Sequence, residues 1–322
     1  PRAGAEALER ALPAQLEAAS APAEGNPYRG LRKYGLSDET RFAGRARAQR
    51  ELYRLVRQDR LTVLHSESGA GKTSLLQAGI MPLLLRAGDL AVCVRARDVN
   101  PALAVKRALV HDLDDAPGLK EEPLDSFLHR VCTILGPGRT LYVFLDQFEE
   151  FFTKRGEEER SAFVRELATC CDDTGPGVHW VISLRTEFFG RLSGFRDGIE
   201  LHYEDYYLDL LTHAEARQAV AEPAAQVGVR FDEGLIDELL DELAPAERVR
   251  PPQVQMVCSA LYDELAADQT LITRAMVEEQ HGAGAILADH LERVLRRLEH
   301  QLRPAAHRLL EELIDEDQQR VW

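Results

Sequence analysis

Residues His65–Ser74, with the sequence His-Ser-Glu-Ser-Gly-Ala-Gly-Lys-Thr-Ser, have the composition of a phosphate-binding loop. Glycines let successive backbone N–H groups point inward, where they bind phosphate oxygens together with the positive end of the following helix dipole. Lys72 is expected to reach the β- and γ-phosphates of a nucleotide, and the Thr73 hydroxyl to ligate Mg²⁺. Ser66 stands where the G-x-x-x-x-G-K-[ST] pattern has glycine, which costs some backbone freedom. The residues predicted to bind phosphate are Ser68, Gly69, Ala70, Gly71, Lys72, Thr73 and Ser74.

A carboxylate that can complete a metal site follows another apolar segment. Asp146 comes directly after Leu141–Leu145, where a buried strand would end, and is predicted to hold Mg²⁺ directly or through water. Glu149 or Glu150 could orient or deprotonate an attacking water, and a solvated acidic helix start is the alternative for both. Gln147 occupies a position where many ATPases have an acid, so the sequence leaves the identity of the base open.

An arginine ends a further apolar segment, Val178–Leu184. Arg185 is predicted at the carboxyl end of a strand beside the strand of Asp146, where it could contact the γ-phosphate and respond to hydrolysis. The alternative for Arg185 is an ion pair with an acidic neighbour. The chain has no N-K-x-D motif for reading guanine, which favours adenine as the base.

The elements that must position these residues alternate regularly. Apolar segments predict strands at Leu61–Leu64, Leu90–Ala96, Leu141–Leu145 and Val178–Leu184, with 201–208 as a fifth candidate. Helices are predicted between the strands, and the one after the phosphate loop runs from Thr73 to about Arg86. Near-continuous apolar strands separated by helices indicate a parallel sheet covered by helices on both faces, which is an α/β fold.

The character of the sequence changes after Leu210. Helical spacing without a strand pattern is found at Thr212–Ala221, Glu233–Leu243, Pro252–Leu265 and Arg274–Glu279. A helical second domain is therefore predicted, and the apolar stripe from Ala285 onward and the segment Ala305–Ile314 predict further helices.

Composition limits the classes of function. The 322-residue length exceeds one ordinary domain, and the net charge of −15 disfavours binding to nucleic acid or anionic membrane over most of the surface. No apolar run approaches the roughly 20 residues that span a bilayer. Five cysteines without a C-x-x-C pair predict reduced thiols in a cytoplasmic protein. One stripe of arginines predicts a solvated helix face first, an oligomer contact with an acidic neighbour second and a nucleic-acid contact last: Arg47, Arg50, Arg54 and Arg57.

Several motifs occur together and in a fixed order. They are Asn26-Pro-Tyr-Arg-Gly-Leu31, Phe42-Ala-Gly-Arg45, Gly71-Lys72-Thr73, Asp146-Gln-Phe-Glu-Glu150, Leu184-Arg185-Thr-Glu-Phe188, Leu211-Thr-His-Ala-Glu-Ala-Arg217 and Pro251-Pro-Gln-Val-Gln255. In combination they resemble the STAND class of P-loop ATPases, which are signalling switches related to the AAA+ family. The resemblance is strongest to the bacterial novel STAND NTPase family and covers roughly residues 25–322.

The resemblance implies a role for individual residues. Asp146 matches the Mg²⁺ aspartate, Arg185 the sensor arginine, and Glu149 and Glu150 an acidic pair of which one serves the water. Pro252 resembles the proline of a helical lid that closes over the base, although the family usually has Leu-Pro-Leu-Leu-Gln where this chain has Pro-Pro-Gln-Val-Gln. The residues implied to lie along adenine and ribose are Phe42, Gly44 and Arg45.

The resemblance also implies an organisation and a function. The implied parts are a linker with a short N-terminal helix (1–25), a P-loop nucleotide-binding domain (26–208), a helical lid domain (209–283) and a partial winged-helix domain (284–322). Such a protein binds ATP or ADP with Mg²⁺, hydrolyses ATP slowly, and is closed with ADP. With ATP it opens to form a homo-oligomer, after a sensor in the same full-length chain detects a trigger, and it controls an attached effector in bacterial defence or regulation. The alternatives are an AAA+-type remodelling ATPase and a non-hydrolysing nucleotide-bound scaffold or transcription regulator.

Overall fold

The fold was obtained as a computed structural model. It describes residues 25–95, 100–110, 113–115, 117–172, 175–195, 202–244, 248–290, 292, 295, 299 and 302–312. The predicted linker and N-terminal helix over 1–25 lie outside the described residues apart from Gly25, and so do residues 313–322 of the predicted winged-helix segment.

A parallel sheet forms the centre of the first part of the chain. Its five strands are β1 (Leu61–Ser66), β2 (Leu90–Val94), β3 (Leu141–Leu145), β4 (His179–Arg185) and β5 (Glu204–Tyr207). They lie in the order β2-β3-β4-β1-β5, and every neighbouring pair is parallel. The predicted α/β fold with a parallel sheet is confirmed, and the fifth candidate segment does form a strand.

Helices cover both faces of this sheet. The first is α1 (Ala46–Gln58), and α2 is α-helical at Lys72–Ser74, π-helical at Leu75–Ile80 and α-helical again at Met81–Arg86. The others are α3 (Pro101–Leu109), α4 (Pro117–Glu121), α5 (Leu124–Leu135), α6 (Glu149–Lys154), α7 (Glu157–Cys171) and α8 (Thr186–Phe189). Short 3₁₀ helices occur at Leu36–Arg41, Leu113–Asp115 and Gly190–Phe195.

Strand β3 is apolar throughout because each face of the sheet has its own core. In β3, Leu141, Val143 and Leu145 belong to the core that also contains apolar residues of α3, α5 and α7. Tyr142 and Phe144 point to the opposite core, beneath α1 and α2. Alternate residues of a strand face opposite sides of a sheet, so a strand buried on both sides shows no alternation of polar and apolar residues.

The strand order brings the predicted polar residues to one edge of the sheet. Strand β4 lies between β1 and β3, with Ser66 opposite Arg185 and Leu145 opposite Ile182. Because parallel strands end at the same edge, Arg185 lies between the loop after β1 and the aspartate after β3.

The second part of the chain is mainly helical. Its described helices are α9 (His213–Gln226), α10 (Leu235–Leu243), α11 (Pro251–Asp263), α12 (Arg274–Glu279), α13 (Gly282–Ala288) and α14 (Arg303–Glu312). Residues of α9, α10, α11 and α13 share one apolar core, in which Leu240, Val257 and Ile286 are nearly fully buried.

One expectation about this second part is wrong. The sequence predicted no strand after Leu210, but Leu211–Thr212 pairs with Arg248–Val249, and Arg230–Phe231 pairs with Leu271–Ile272. Each of these strands has two residues. Two residues cannot show an alternating pattern, so the sequence carried no signal for them.

Residues 25–42 precede both parts in the chain and contact each of them. Tyr28 is 1% exposed within the apolar core of the helical part, and its hydroxyl donates to the Val220 carbonyl oxygen at 2.7 Å. Asn26 Nδ2 donates to the Ser259 carbonyl oxygen at 3.0 Å. The Tyr34 backbone N–H donates to Ser74 Oγ, next to the phosphate loop, at 3.1 Å. One short segment therefore contacts both parts of the chain.

Two predictions from composition can be compared with this fold. None of the five cysteines is in a disulfide, as expected for reduced thiols. Within the part of the chain that the structure describes, no helix combines the length and apolarity needed to cross a bilayer.

Candidate functional site

A cavity of about 770 Å³ lies between the carboxyl edge of the sheet and the start of α11. Thirteen of the predicted site residues line it: Phe42, Arg45, Ser68, Gly69, Ala70, Gly71, Lys72, Thr73, Ser74, Asp146, Glu149, Arg185 and Pro252. Two of the predicted residues, Gly44 and Glu150, are not among the lining residues. The cavity falls in the size range of pockets that bind small molecules and cofactors.

The cavity is strongly basic in a chain of net charge −15. Among the described residues, two acidic side chains line it, Asp146 and Glu149. The basic side chains that line it in the same set number seven: Arg32, Lys33, Arg41, Arg45, Lys72, Arg95 and Arg185. Clefts lined by one sign of charge attract ligands of the opposite sign, so this cavity suits a polyanion.

The loop between β1 and α2 has the backbone of a phosphate cradle. Gly69 and Gly71 have φ angles of 83° and 99°, which are unfavourable for residues with a side chain. Lys72 Nζ lies over the loop and donates to Ser66 Oγ at 2.9 Å. Burial lowers the pKa of Lys72, because it disfavours the charged form of the amine.

Ser66 fits the loop because glycine is not needed at this position. It is the last residue of β1, and it is absent from the described residues that have a positive φ. Its hydroxyl accepts a hydrogen bond from Lys72 and donates to the Glu67 carbonyl oxygen at 2.8 Å. The serine therefore adds a polar contact to the lysine and requires no strained backbone.

Asp146 and Thr73 come together as a metal site requires. Asp146 is 1% exposed, and its carboxylate accepts from Thr73 Oγ1 at 2.9 and 3.1 Å. A buried carboxylate beside a hydroxyl matches the hard oxygen ligands that Mg²⁺ prefers. No group of three or more His, Cys, Asp and Glu side chains among the described residues could hold a metal. This arrangement fits Mg²⁺ bound by one or two protein groups together with phosphate and water.

The two glutamates of the acidic pair have different surroundings. Glu149 lines the cavity, its side chain is 14% exposed, and its Oε1 lies 3.4 Å from Arg185 Nε. Its Oε2 is buried without a hydrogen-bond partner among the described residues. Burial raises the pKa of Glu149. Glu150 instead forms an ion pair with Lys154 at 3.8 Å, one helical turn along α6. The structure therefore places Glu149, and not Glu150, where it can meet a ligand.

Arg185 and Gln147 also line the cavity. Arg185 Nε lies within ion-pair distance of Glu149, and its Nη1 lies 3.6 Å from Glu187 Oε1. Both the predicted ligand contact and the alternative acidic pairing are therefore compatible with its position. Gln147 has a φ of 55°, an uncommon conformation for a residue other than glycine. Strained backbone of this kind is concentrated at functional sites.

The segment Phe42–Arg45 closes one side of the cavity. Arg45 is 5% exposed and donates from Nη2 to the Ala70 carbonyl oxygen in the phosphate loop at 2.8 Å. Burial lowers the pKa of Arg45. Gly44, which the resemblance placed along adenine and ribose, packs against α9 instead. An added Cβ there would overlap the Glu215 carbonyl oxygen and lie 3.0 Å from Ala219 Cβ.

The start of α11 lies against the phosphate loop. A Cβ added to Gly69 would be 3.5 Å from Pro252 Cγ, so the proline is in van der Waals range of the loop. Arg250 Nη2 lies 3.5 Å from Glu67 Oε2, which adds an ion pair between the helical part and the loop. Pro252 is also among the residues that line the cavity.

Sequence reasoning missed several lining residues. Arg95 follows β2, and an arginine at a strand end was a usable signal, since the same reasoning identified Arg185. Tyr34 donates to Gln255 Oε1 at 2.6 Å across the two parts of the chain, a pairing that no sequence spacing reveals. The N-terminal segment contributes Arg32, Lys33 and Arg41 to the cavity. These residues are separated from the phosphate loop along the chain, so their position beside it could not be predicted from the sequence.

Comparison with known proteins places this geometry among nucleotide-binding folds. The model of the family "Novel STAND NTPase 1" matches residues 27–321. No curated protein sequence matches the chain.

Solved structures of similar fold were also found. A Walker-type ATPase of Pyrococcus abyssi superposes with a TM-score of 0.57 at 13% identity, covering 86% of this chain and 79% of that one. The ORC2 protein of Aeropyrum pernix in its ADPNP-ADP complexes gives 0.54 at 12% identity, with coverages of 79% and 71%. Drosophila ORC bound to DNA gives 0.51 at 12% identity, with 90% and 69%. At these identities the likeness concerns the fold.

Proposed function

This chain belongs to the novel STAND NTPase 1 family, and we propose that it is an ATP- and ADP-binding switch module that hydrolyses ATP slowly. One observation carries the proposal: Lys72, Thr73, Asp146 and Glu149 line the same basic cavity at the carboxyl edge of a parallel sheet. These are the groups that bind phosphates, hold a divalent cation and activate water in nucleotide hydrolysis. The ADPNP-ADP complexes of the similar ORC2 protein support a nucleotide as the ligand.

Within the proposed reaction each residue has one task. Thr73 and Asp146 would hold Mg²⁺, which supplies charge neutralisation at the phosphates when it is bound. Lys72 and the loop N–H groups would bind the β- and γ-phosphates. Glu149 would accept a proton from water as the water oxygen bonds to the γ-phosphorus and the bond to the β–γ bridging oxygen breaks. The raised pKa of Glu149 suits a group that must take up a proton.

The switch follows from a ligand shared by two parts of the chain. We assign residues 26–208 to the nucleotide-binding domain, 209–283 to the helical lid and 284–322 to part of a winged-helix domain. Pro252 and Gln255 line the cavity from the lid, so a nucleotide there would contact both domains. The closed form would contain ADP, and exchange for ATP would shift the domains towards an open, self-associating form. Sensor and effector domains of a full-length chain would supply the trigger and the output, in bacterial defence or regulation.

A nucleotide-bound scaffold without turnover is the second candidate. It is favoured by Gln147, which places an amide where a second acid could assist hydrolysis. Under this function the chain would retain its nucleotide and release no phosphate over many hours. Measurement of phosphate release at saturating ATP separates the two functions, because the switch requires slow but sustained release.

The first experiment is to identify what the purified protein contains. We expect denaturation of the protein to release ADP or ATP, and the Lys72→Ala variant to contain none. Lys154→Ala is the matched control, because Lys154 is an exposed lysine whose partner Glu150 is not among the residues that line the cavity. Wild-type nucleotide content in Lys72→Ala would contradict the assignment of the phosphate loop.

A further inference from the structure

Arg95 has a position that the proposed reaction does not yet use. It follows β2, and its Nε lies 3.5 Å from Asp146 Oδ2. The backbone fixes this approach, because β2 pairs with β3 and the Asp146 N–H donates to the Val94 carbonyl oxygen at 2.9 Å. Arg95 also lines the same cavity as Lys72.

The ion pair with Asp146 joins an exposed group to a buried one. The Arg95 side chain is 42% exposed, whereas that of Asp146 is 1% exposed. A buried carboxylate is costly unless a cation or hydrogen-bond donors neutralise it. Without a metal, Arg95 and the Thr73 hydroxyl provide that neutralisation. Because Arg95 is partly solvated and carries a long side chain, it can leave Asp146 without itself being trapped in an apolar environment.

A divalent cation bound at Asp146 would weaken the ion pair between Asp146 and Arg95. The carboxylate would then be shared with Mg²⁺, whose charge repels the guanidinium group. Glu149, the other acidic group lining the cavity, lies 3.4 Å from Arg185 Nε. Among the described residues that line the cavity, Asp146 and Glu149 are the acidic ones, so the oxygens of a terminal phosphate would offer Arg95 a further anionic partner, which a guanidinium group can bind with two parallel hydrogen bonds.

We propose that Arg95 is a binding residue for the terminal phosphate, paired with Asp146 when no Mg²⁺-nucleotide is bound and with the γ-phosphate when Mg²⁺-ATP is bound. The inference rests on the proposed function, since it assumes a nucleotide in the cavity. It adds that the chain distinguishes ATP from ADP through a residue at the end of β2, on the side of Asp146 away from β4. ADP has no γ-phosphate, so it leaves Arg95 without this partner.

The test compares two affinities in each variant. Dissociation constants for Mg²⁺-ATPγS and Mg²⁺-ADP are measured by titration calorimetry on wild type, Arg95→Ala and Arg95→Gln. We expect ATPγS affinity to fall roughly tenfold to a hundredfold in both variants, as for the loss of a hydrogen-bonded charge pair, and ADP affinity to change by less than about threefold. Arg95→Gln keeps a donor for Asp146 without the charge, so it also serves if Arg95→Ala does not fold.

One control variant accompanies this test, and two results would overturn the inference. Arg130→Ala removes a partly exposed arginine paired with Glu122, outside the cavity, and should leave both affinities unchanged. If the Arg95 variants lost affinity for ATPγS and ADP equally, Arg95 would only neutralise Asp146, and the inference would be overturned. An unchanged ratio of ATPγS affinity to ADP affinity in Arg95→Gln would also overturn it. A wild-type protein that binds neither nucleotide would instead overturn the proposed function.

Discussion

Replacement of Glu149 by glutamine tests the proposed chemistry most directly. The side chain keeps its size and its place in the cavity but can no longer accept the proton of an attacking water. A positioned general base contributes about 10²- to 10⁴-fold to a rate, so the hydrolysis step should slow by roughly that factor. Nucleotide affinity should not fall, because the change removes a negative charge from a cavity that would hold a triphosphate. Single-turnover hydrolysis of γ-labelled ATP measures the chemical step separately from product release.

The neighbouring Glu150 provides the matched control. Its ion pair with Lys154 spans 3.8 Å, and Glu150 lies outside the lining of the cavity. Exposed pairs of this kind contribute about 0–1 kcal/mol, so Glu150→Gln should change stability little and hydrolysis by less than about threefold. If Glu150→Gln lost hydrolysis while Glu149→Gln retained it, the assignment of the base from cavity geometry would be refuted.

Two further predictions follow from local geometry. Burial raises the pKa of Glu149, and a base must be ionised to act, so the hydrolysis rate should fall on acidification with a midpoint above the ordinary value near about 4.3 for glutamate. A pH–rate profile checks this, and Glu149→Gln should lack the acidic limb. Gly44→Ala adds a Cβ that overlaps the Glu215 carbonyl oxygen at a φ of 78°, so urea unfolding should show a loss of about 1–3 kcal/mol. Gly138→Ala is the control, because its φ is also 78° but nothing lies within 4 Å of the added Cβ, and its loss should be smaller.

The sheet could be predicted from the sequence because its signals are local. Strands buried on both faces appear as apolar runs, and at the same edge of the sheet β3 is followed directly by Asp146 while β4 ends in Arg185. The two-residue strands of the helical part could not be predicted, since their pairing joins segments far apart in the chain. The π-helical stretch Leu75–Ile80 inside α2 also has no local signal, and nothing in its sequence distinguishes it from the flanking α-helix.

The site was only partly accessible to sequence reasoning. The phosphate loop and Asp146 belong to contiguous motifs, so their residue types and spacing identified them. The choice between Glu149 and Glu150 depends on which side of α6 faces the cavity, and a pair of adjacent acids gives no helical period to decide it. The approach of Arg95 to Asp146 depends on the neighbouring position of β2 and β3, which is a property of sheet order and not of either segment alone.

A nucleotide in the cavity would affect the contacts between the two parts of the chain. The ion pair of Arg250 with Glu67 has both side chains about half exposed, at 51% and 55%, and such pairs contribute about 0–1 kcal/mol. Pro252 adds a van der Waals contact to the loop. Tyr28, by contrast, is buried in the apolar core of the helical part. The buried hydrogen bond from Tyr34 to Gln255 Oε1, at 2.6 Å, also joins the two parts. Separation of the proposed lid from the phosphate loop would therefore break this bond together with the weaker contacts and leave both apolar cores intact. In the proposed switch a nucleotide would bind both surfaces, so we expect its phosphate state to bias the arrangement of the two parts of the chain.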